Sequence, residues 1–141
     1  MKRKASAVWH GDLKQGKGAI STESGVLSQA QYSFSTRFEN GVGTNPEELV
    51  AAAHAGCFSM ALSAELGKGG ISPESIRTAA LLTMDRLEAG WTVTEIHLEV
   101  SAKIPGVDRA AFEQAANAAK AGCPISRLLN AKITMNAQLE S

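Results

Sequence analysis

The residues of this 141-residue chain that could carry chemistry begin with its two cysteines, Cys57 and Cys123. Two thiols allow redox or nucleophilic chemistry, whereas a disulfide scaffold or a structural zinc site needs more cysteine or histidine ligands. Burial is the ordinary alternative, because cysteine is among the most buried residue types. The cysteine content therefore leaves redox chemistry, nucleophilic catalysis and simple packing open.

The sequence around the two cysteines predicts different reactivities. Cys123 stands directly before Pro124 at the start of a short predicted helix, where free backbone N–H groups would stabilise a thiolate. Cys57 lies in the middle of an alanine-rich helical segment and gains no such help. It would need a nearby cation, and Arg37, which is fork-shaped and always charged, is a candidate. On local grounds alone, Cys123 is the more reactive thiol.

His54 supports an alternative chemistry, because it lies one helical turn before Cys57 and could act as base to its thiol. Such a pair would predict a cysteine hydrolase or transferase, although no third group that would orient the histidine is evident. A metal site built from His54, Cys57 and Cys123 would lack a fourth ligand, so we expect no metal. A noncatalytic binding domain is the remaining alternative.

Charge and hydropathy argue against several classes of partner. Lysine plus arginine number 14 and aspartate plus glutamate number 14, so no net field attracts nucleic acid or anionic lipid. The basic N-terminus runs into an alternating pattern without the apolar segment of a signal peptide. The longest apolar segment contains Glu47, Glu48 and Glu65, which argues against a membrane span. We therefore expect a cytoplasmic protein with no nucleic-acid and no membrane partner.

A long helix is predicted from Asn45 to about Leu66, with Cys57 at its centre. Asn45 can cap this helix, Pro46 suits its first position, and two glutamates in its first turn favour the positive end of the helix dipole. Its many alanines leave little bulk on most faces, so neighbouring elements could approach closely all round. These features are typical of a central helix.

The other elements are predicted from alternation and turn signals. Short strands precede the long helix, and the last of them, QYSFSTRF, places Arg37 on its less apolar face. After the helix come two strands that meet at a turn near 88–90, a helix capped by Asp108, a short helical turn and a final strand. This order predicts one α+β domain over residues 1–141.

Alternation along the later strands identifies candidate core positions. One face of the second strand after the helix is apolar, as is one face of the final strand, while the opposite faces are polar or charged. The residues expected to face the core are Ile96, Leu98, Val100, Ala102, Ile104, Ile133, Met135, Ala137 and Leu139.

Two motifs resemble a known family. The segment TRFENGVGTNPEELVAAAHAGCFSMALS, followed later by CPISRLLN, is similar to the OsmC branch of the OsmC/Ohr organic hydroperoxide reductases. The resemblance covers essentially the whole chain in the same element order. It implies an OsmC-like fold, in which antiparallel sheets pack on a long central helix. It also implies an intertwined homodimer with active sites at the subunit interface.

The resemblance further implies a thiol-dependent peroxidase that reduces organic hydroperoxides, and hydrogen peroxide less efficiently, in oxidative and osmotic stress defence. Cys57 would be the peroxidatic cysteine that becomes a sulfenic acid, and Cys123 would resolve it by forming a disulfide. Arg37 would stabilise the thiolate and orient the peroxide, and Glu47 would hold the arginine. The resemblance implies no bound cofactor, only an external dithiol or lipoylated-protein reductant.

The family assignment differs from the local argument about the nucleophile. We follow the family and assign that role to Cys57, because contact with Arg37 can lower a thiol pKa as well as a helix terminus can. His54 then becomes a packing residue. Glu47 and Cys57 are ten residues apart in the sequence. On one helix this spacing is about 15 Å along the axis and on different faces. Either Arg37 bridges a large gap, or Arg37 and Glu47 serve the cysteine of the other subunit, and we favour the second arrangement.

Overall fold

The computed structural model describes residues 1–140, which form six strands and four helices. The chain divides into two compact units, one spanning Met1–Leu49 and the other beginning at Val50. Strands and helices are both prominent, so the predicted α+β class is confirmed. The expectation of one domain over residues 1–141 stays a prediction.

The first unit is built on a small antiparallel sheet followed by a short helix. Its elements are β1 (Ala5–His10), β2 (Lys17–Thr22), β3 (Ala30–Tyr32) and α1 (Phe34–Phe38). Strand β2 lies between β1 and β3 and pairs antiparallel with both. The rings of Trp9 and Tyr32 pack with their centroids 5.5 Å apart. Gly18 lies beneath both rings, where a Cβ atom would collide with them.

The segment QYSFSTRF is not one strand, so this prediction is wrong. Strand β3 ends at Tyr32, and Ser33 caps α1 through a capping box with Thr36. The Ser33 Oγ accepts a hydrogen bond from the Thr36 N–H at 3.3 Å, and the Thr36 Oγ1 accepts one from the Ser33 N–H at 2.8 Å. Such reciprocal bonds begin a helix. Arg37 therefore lies in the last turn of a helix and not on a strand face.

The predicted long helix is present as α2 (Pro46–Lys68), which ends two residues beyond the expected position. The Asn45 Oδ1 accepts a hydrogen bond from the Glu48 N–H at 2.7 Å, as expected of the cap. One face of α2 is buried at a spacing of four residues, and the opposite face is exposed in the single chain. Neighbouring elements were expected to pack closely on all faces of α2, but within the single chain they do so on one face. The buried residues are His54, Phe58, Leu62 and Leu66.

By length and composition alone, α2 is long and apolar enough to cross a membrane, which differs from the expectation based on its glutamates. One such helix is weak evidence, because the core helices of soluble proteins meet the same criteria. The α2 side chains of Phe58 and Leu62 are fully buried within the protein, and Glu65 pairs with Lys68 at 2.7 Å. The absence of a membrane partner stays a prediction.

The second unit continues α2 with a three-stranded sheet and two further helices. Its other elements are β4 (Ser75–Leu87), β5 (Gly90–Lys103), α3 (Arg109–Gly122), α4 (Pro124–Leu128) and β6 (Lys132–Leu139). Strands β4 and β5 pair antiparallel across the predicted turn, whereas β5 and β6 pair parallel. Parallel neighbours need a crossover connection, which here contains α3 and α4. The expectation of antiparallel sheets is therefore wrong for β6.

The core of the second unit lies among α2, α3 and one face of β5. The β5 positions expected to face the core are buried, and those of β6 pack against the same cluster. The Asp108 carboxylate caps α3 by accepting a hydrogen bond from the Ala111 N–H at 2.8 Å, as predicted. The largest fully buried apolar side chains are Phe58, Phe112, Leu62, Leu66, Ile96, Leu98 and Val100.

Candidate active site

The second unit brings the two cysteines together. Cys57, on α2, and Cys123, at the start of α4, are free thiols that lie close enough for each to alter the pKa of the other. Cys57 is half-buried, whereas Cys123 is fully buried at 0% exposure. Solvent therefore reaches Cys57 more readily than Cys123.

Cys123 is the N-cap of α4, as its position before Pro124 predicts. Its Sγ accepts hydrogen bonds from the Ser126 N–H at 3.3 Å and from the Ser126 hydroxyl at 3.4 Å. Burial by itself raises the pKa of this thiol. Hydrogen bonds from Ser126, Cys57 and the Ile125 N–H outweigh burial and hold the pKa of the thiol below its ordinary value. The thiolate is favoured at Cys123, in agreement with the local argument from sequence.

The surroundings of Cys57 raise the pKa of its thiol, in contrast to those of Cys123. Burial raises the pKa of the Cys57 thiol, the Ile125 N–H lowers it, and the neighbouring Cys123 raises it through a hydrogen bond and through charge. The net result is a pKa above the ordinary value. Because the two thiols interact, a thiolate on one disfavours a thiolate on the other. Cys57 therefore needs a further cation in order to carry the charge.

Arg37 and Glu47 form an ion pair within the first unit. The Nε and Nη2 of Arg37 both donate to the Oε1 of Glu47, at 2.8 and 2.6 Å. The guanidinium carbon lies 5.4 Å from the centre of the Phe38 ring. The Oε2 of Glu47 is buried without a hydrogen-bond partner among residues 1–140. Glu47 thus orients Arg37 through one oxygen, and Nη1 of the guanidinium group lies outside this ion pair.

His54 bonds Ser126, whereas the sequence predicted either a base for the Cys57 thiol or a packing residue. Its Nε2 lies 2.7 Å from the Ser126 Oγ, and the histidine is fully buried. Burial lowers the pKa of His54, so the ring is neutral near pH 7. No hydrogen bond joins His54 to Cys57 within the described chain. The description of His54 as a packing residue is therefore incomplete, and the geometry that a His54–Cys57 hydrolase needs is not formed.

Ser126 was not anticipated from the sequence. It lies three residues after the N-cap Cys123, a position from which a side chain can reach back to the cap residue. That spacing is a local signal which could have identified it. Its contact with His54 spans 72 residues and leaves no local pattern. Within residues 1–140, no group of three or more His, Cys, Asp or Glu side chains could hold a metal ion.

The protein thus belongs to the class of α+β proteins that have a site with two neighbouring cysteines. Comparison with known proteins identifies the family. A family model described as OsmC-like protein matches residues 38–138. The chain is 52% identical over 139 residues to peroxiredoxin OsmC of Escherichia coli (strain K12), covering 99% of this chain and 97% of that protein. The chain belongs to the OsmC family.

Two further relatives extend the comparison. The chain is 30% identical over 124 residues to the organic hydroperoxide resistance protein OhrB of Bacillus subtilis (strain 168), which covers 87% of this chain and 89% of that protein. An OsmC-like protein of unknown function from Vibrio cholerae superposes with a TM-score of 0.78 at 16% identity, covering 98% and 99% of the two chains. The OsmC-like fold is therefore confirmed, and the homodimer stays a prediction.

Proposed function

We propose that this protein is a thiol-dependent peroxidase that reduces organic hydroperoxides, with hydrogen peroxide as a poorer substrate. The observation that carries the proposal is the half-buried Cys57 thiol next to the fully buried Cys123 thiol, each close enough to alter the pKa of the other. The relatives named peroxiredoxin and organic hydroperoxide resistance protein support the same chemistry. A binding domain requires no such contact, and a hydrolase would require His54 to face Cys57 and not Ser126.

In the proposed first step, Cys57 attacks the peroxide because its thiol is the accessible one. The Cys57 thiolate forms an S–O bond to the terminal oxygen of ROOH while the O–O bond breaks, which gives a sulfenic acid and an alkoxide. When Cys57 is the thiolate, Cys123 carries the one proton that the two cysteines share. The alkoxide takes this proton and leaves as the alcohol, so Cys123 becomes the thiolate.

In the second step, the Cys123 thiolate attacks the sulfenic sulfur of Cys57. An S–S bond forms, the S–O bond breaks, and the departing hydroxide takes a proton from solvent to become water. The hydrogen bonds that hold the pKa of Cys123 below its ordinary value favour this step. An external dithiol or a lipoylated protein then supplies two electrons and two protons by thiol–disulfide exchange, which restores both thiols.

We place Arg37 and Glu47 of one subunit at Cys57 of its partner in a homodimer. Glu47 fixes the positive charge of Arg37 through Nε and Nη2, which leaves Nη1 outside this ion pair to donate to a thiolate or a peroxide oxygen. The exposed face of α2, which includes Gly56 and Met60, supports a second copy as the partner. Mixing Arg37→Ala with Cys57→Ser subunits would then yield heterodimers with one working site. Absence of complementation would contradict action across the dimer.

Turnover with different reductants tests the proposed function. Cumene hydroperoxide and hydrogen peroxide are each supplied with dihydrolipoamide, reduced thioredoxin or glutathione, in the presence of wild-type protein or Cys57→Ser. We expect a dithiol to sustain turnover with cumene hydroperoxide, a lower rate with hydrogen peroxide, and none in the variant. Turnover that persists in Cys57→Ser, or its absence with every reductant, would overturn the proposal. We place the reaction in the cytoplasm, where thiol reductants are maintained.

A further inference from the structure

We infer that His54 and Ser126 form a hydrogen-bond relay that aims the Ser126 hydroxyl at Cys123 and so prepares this cysteine for the resolving attack. His54 is a positioning residue in this relay, since it acts through Ser126 and forms no hydrogen bond to either sulfur within residues 1–140. This inference rests on the proposed peroxidase function, because Cys123 performs a resolving attack only in that reaction.

The relay follows from the number of hydrogens on Ser126. Its Oγ lies 2.7 Å from His54 Nε2 and 3.4 Å from Cys123 Sγ. A hydroxyl has one hydrogen, so it can donate to one of these neighbours and must accept from the other. When Nε2 of His54 carries a hydrogen, it donates to Ser126, and the hydroxyl hydrogen is left for Cys123. When Nε2 is bare, the hydroxyl donates to the histidine, and Cys123 loses a donor.

Two features, one of Cys123 and one of His54, favour the first arrangement when Cys123 is a thiolate. A hydrogen bond to a charged sulfur is stronger than one to a neutral nitrogen, so the hydroxyl donates to the thiolate. The Nδ1 of His54 is buried without a partner among residues 1–140, which suits a bare nitrogen with no hydrogen to satisfy. The histidine then contributes direction and not charge, since burial keeps its pKa below the ordinary value.

Within residues 1–140, hydrogen bonds and burial determine the pKa of Cys123, and no charged side chain contributes. The groups that act on its pKa are burial and the hydrogen bonds from Ser126, Cys57 and the Ile125 N–H, and within residues 1–140 no carboxylate or cationic side chain is among them. Ser126 provides two of these hydrogen bonds, one through its N–H and one through its hydroxyl. Only the hydroxyl bond depends on His54. A change at His54 should therefore alter Cys123 through this single bond.

The relay consumes no proton and no electron. The Cys123 thiolate supplies the electron pair of the new S–S bond to Cys57, the S–O bond of the sulfenic acid breaks, and hydroxide leaves to be protonated by solvent. The charge that the Ser126 hydroxyl had stabilised then disappears, so the hydroxyl is released when the disulfide forms. His54 keeps the same hydrogen on Nε2 throughout.

The test uses a Cys57→Ser background, in which Cys123 is the remaining cysteine. The ultraviolet absorbance of the thiolate, followed against pH, then reports on Cys123 alone and needs no peroxidase activity. Adding Ser126→Ala should move the titration to higher pH and lower the thiolate population on its acid side by about tenfold, as expected for a lost hydrogen bond to a charged group. Ser59→Ala is the matched control, because the Ser59 hydroxyl on α2 bonds Thr78 of β4 and makes no bond to Cys123 or His54 within residues 1–140.

His54 variants separate positioning from packing. His54→Phe, which cannot donate, should shift the titration in the same direction as Ser126→Ala. His54→Gln can place an amide N–H near the Nε2 position and should restore most of the thiolate population. An unchanged titration in folded Ser126→Ala would overturn the inference. A titration midpoint in His54→Gln that is shifted as far as in His54→Phe would also overturn it. If His54→Phe does not fold, Ser126→Ala decides.

The same substitutions with both cysteines present connect the relay to the reaction. We expect Ser126→Ala to slow disulfide formation after one addition of cumene hydroperoxide by about tenfold. The longer-lived Cys57 sulfenic acid should then be trapped by dimedone. Disulfide formation at the wild-type rate would contradict the relay. A protein that loses no thiol to hydroperoxide would instead refute the proposed peroxidase, and the titration of Cys123 would remain interpretable.

Discussion

Replacing Glu47 by glutamine tests the contribution of Arg37 while keeping the shape of the side chain that holds it. Two Arg37 nitrogens donate to one oxygen of Glu47, at 2.8 and 2.6 Å. Hydrogen bonds to charged groups contribute about 1.5–3 kcal/mol and neutral ones about 0.5–1.5 kcal/mol, so the two bonds together weaken by about 2 kcal/mol. The Arg37 side chain is 39% exposed. Screening by water reduces the loss to about 1 kcal/mol, which lowers kcat/KM for cumene hydroperoxide about fivefold.

The assay measures initial rates at low peroxide with saturating dithiol, so that kcat/KM is obtained directly. Glu65→Gln is the control, because Glu65 pairs with Lys68 on the same helix and the lysine is 71% exposed. We expect its kcat/KM to equal that of the wild type, and both variants to melt within a few degrees of it. A Glu47→Gln rate within twofold of the wild type, or an equal loss in Glu65→Gln, would refute the role assigned to the Arg37–Glu47 pair.

Three further predictions follow from the second unit. Cys123→Ser removes a hydrogen bond and a charge that raise the pKa of Cys57, so alkylation of Cys57 should begin at lower pH; a shift to higher pH would contradict this. Phe58→Ala empties a fully buried site and should cost about 3–5 kcal/mol in urea unfolding; a loss below about 1 kcal/mol would contradict its core position. Met60 is 78% exposed in the single chain, and Met60→Glu should leave each subunit folded but make the proposed dimer monomeric in analytical ultracentrifugation. A dimer of undiminished stability would exclude this face as the interface.

Local sequence rules were sufficient where a few adjacent residues determine the structure. The Asn45 and Asp108 caps and the alternation of β5 were all predicted and are present. The error at QYSFSTRF has a physical reason, because the same residues satisfy both an alternating pattern and a capping box. The reciprocal hydrogen bonds between Ser33 and Thr36 determine the outcome in the structure. A serine three residues before a threonine is the local signal that favours a helix start over a strand at this position.

Contacts between distant segments were beyond local rules. The parallel pairing of β6 depends on the route of the crossover through α3 and α4, and the pattern of β6 itself is the same for either direction. The meeting of Cys57 and Cys123 was expected from the family resemblance and not from spacing. The His54–Ser126 contact joins residues 72 positions apart, and neither residue type predicts it.

In the proposed reaction, both cysteines of one chain reduce one hydroperoxide. Counting thiols after one equivalent of cumene hydroperoxide is added to the reduced protein, without any reductant, tests this stoichiometry. We expect both thiols of each chain to be lost, peptide mapping to find a Cys57–Cys123 disulfide, and Cys57→Ser to keep its thiol. Retention of both thiols in the wild type, or their loss without this disulfide, would contradict it.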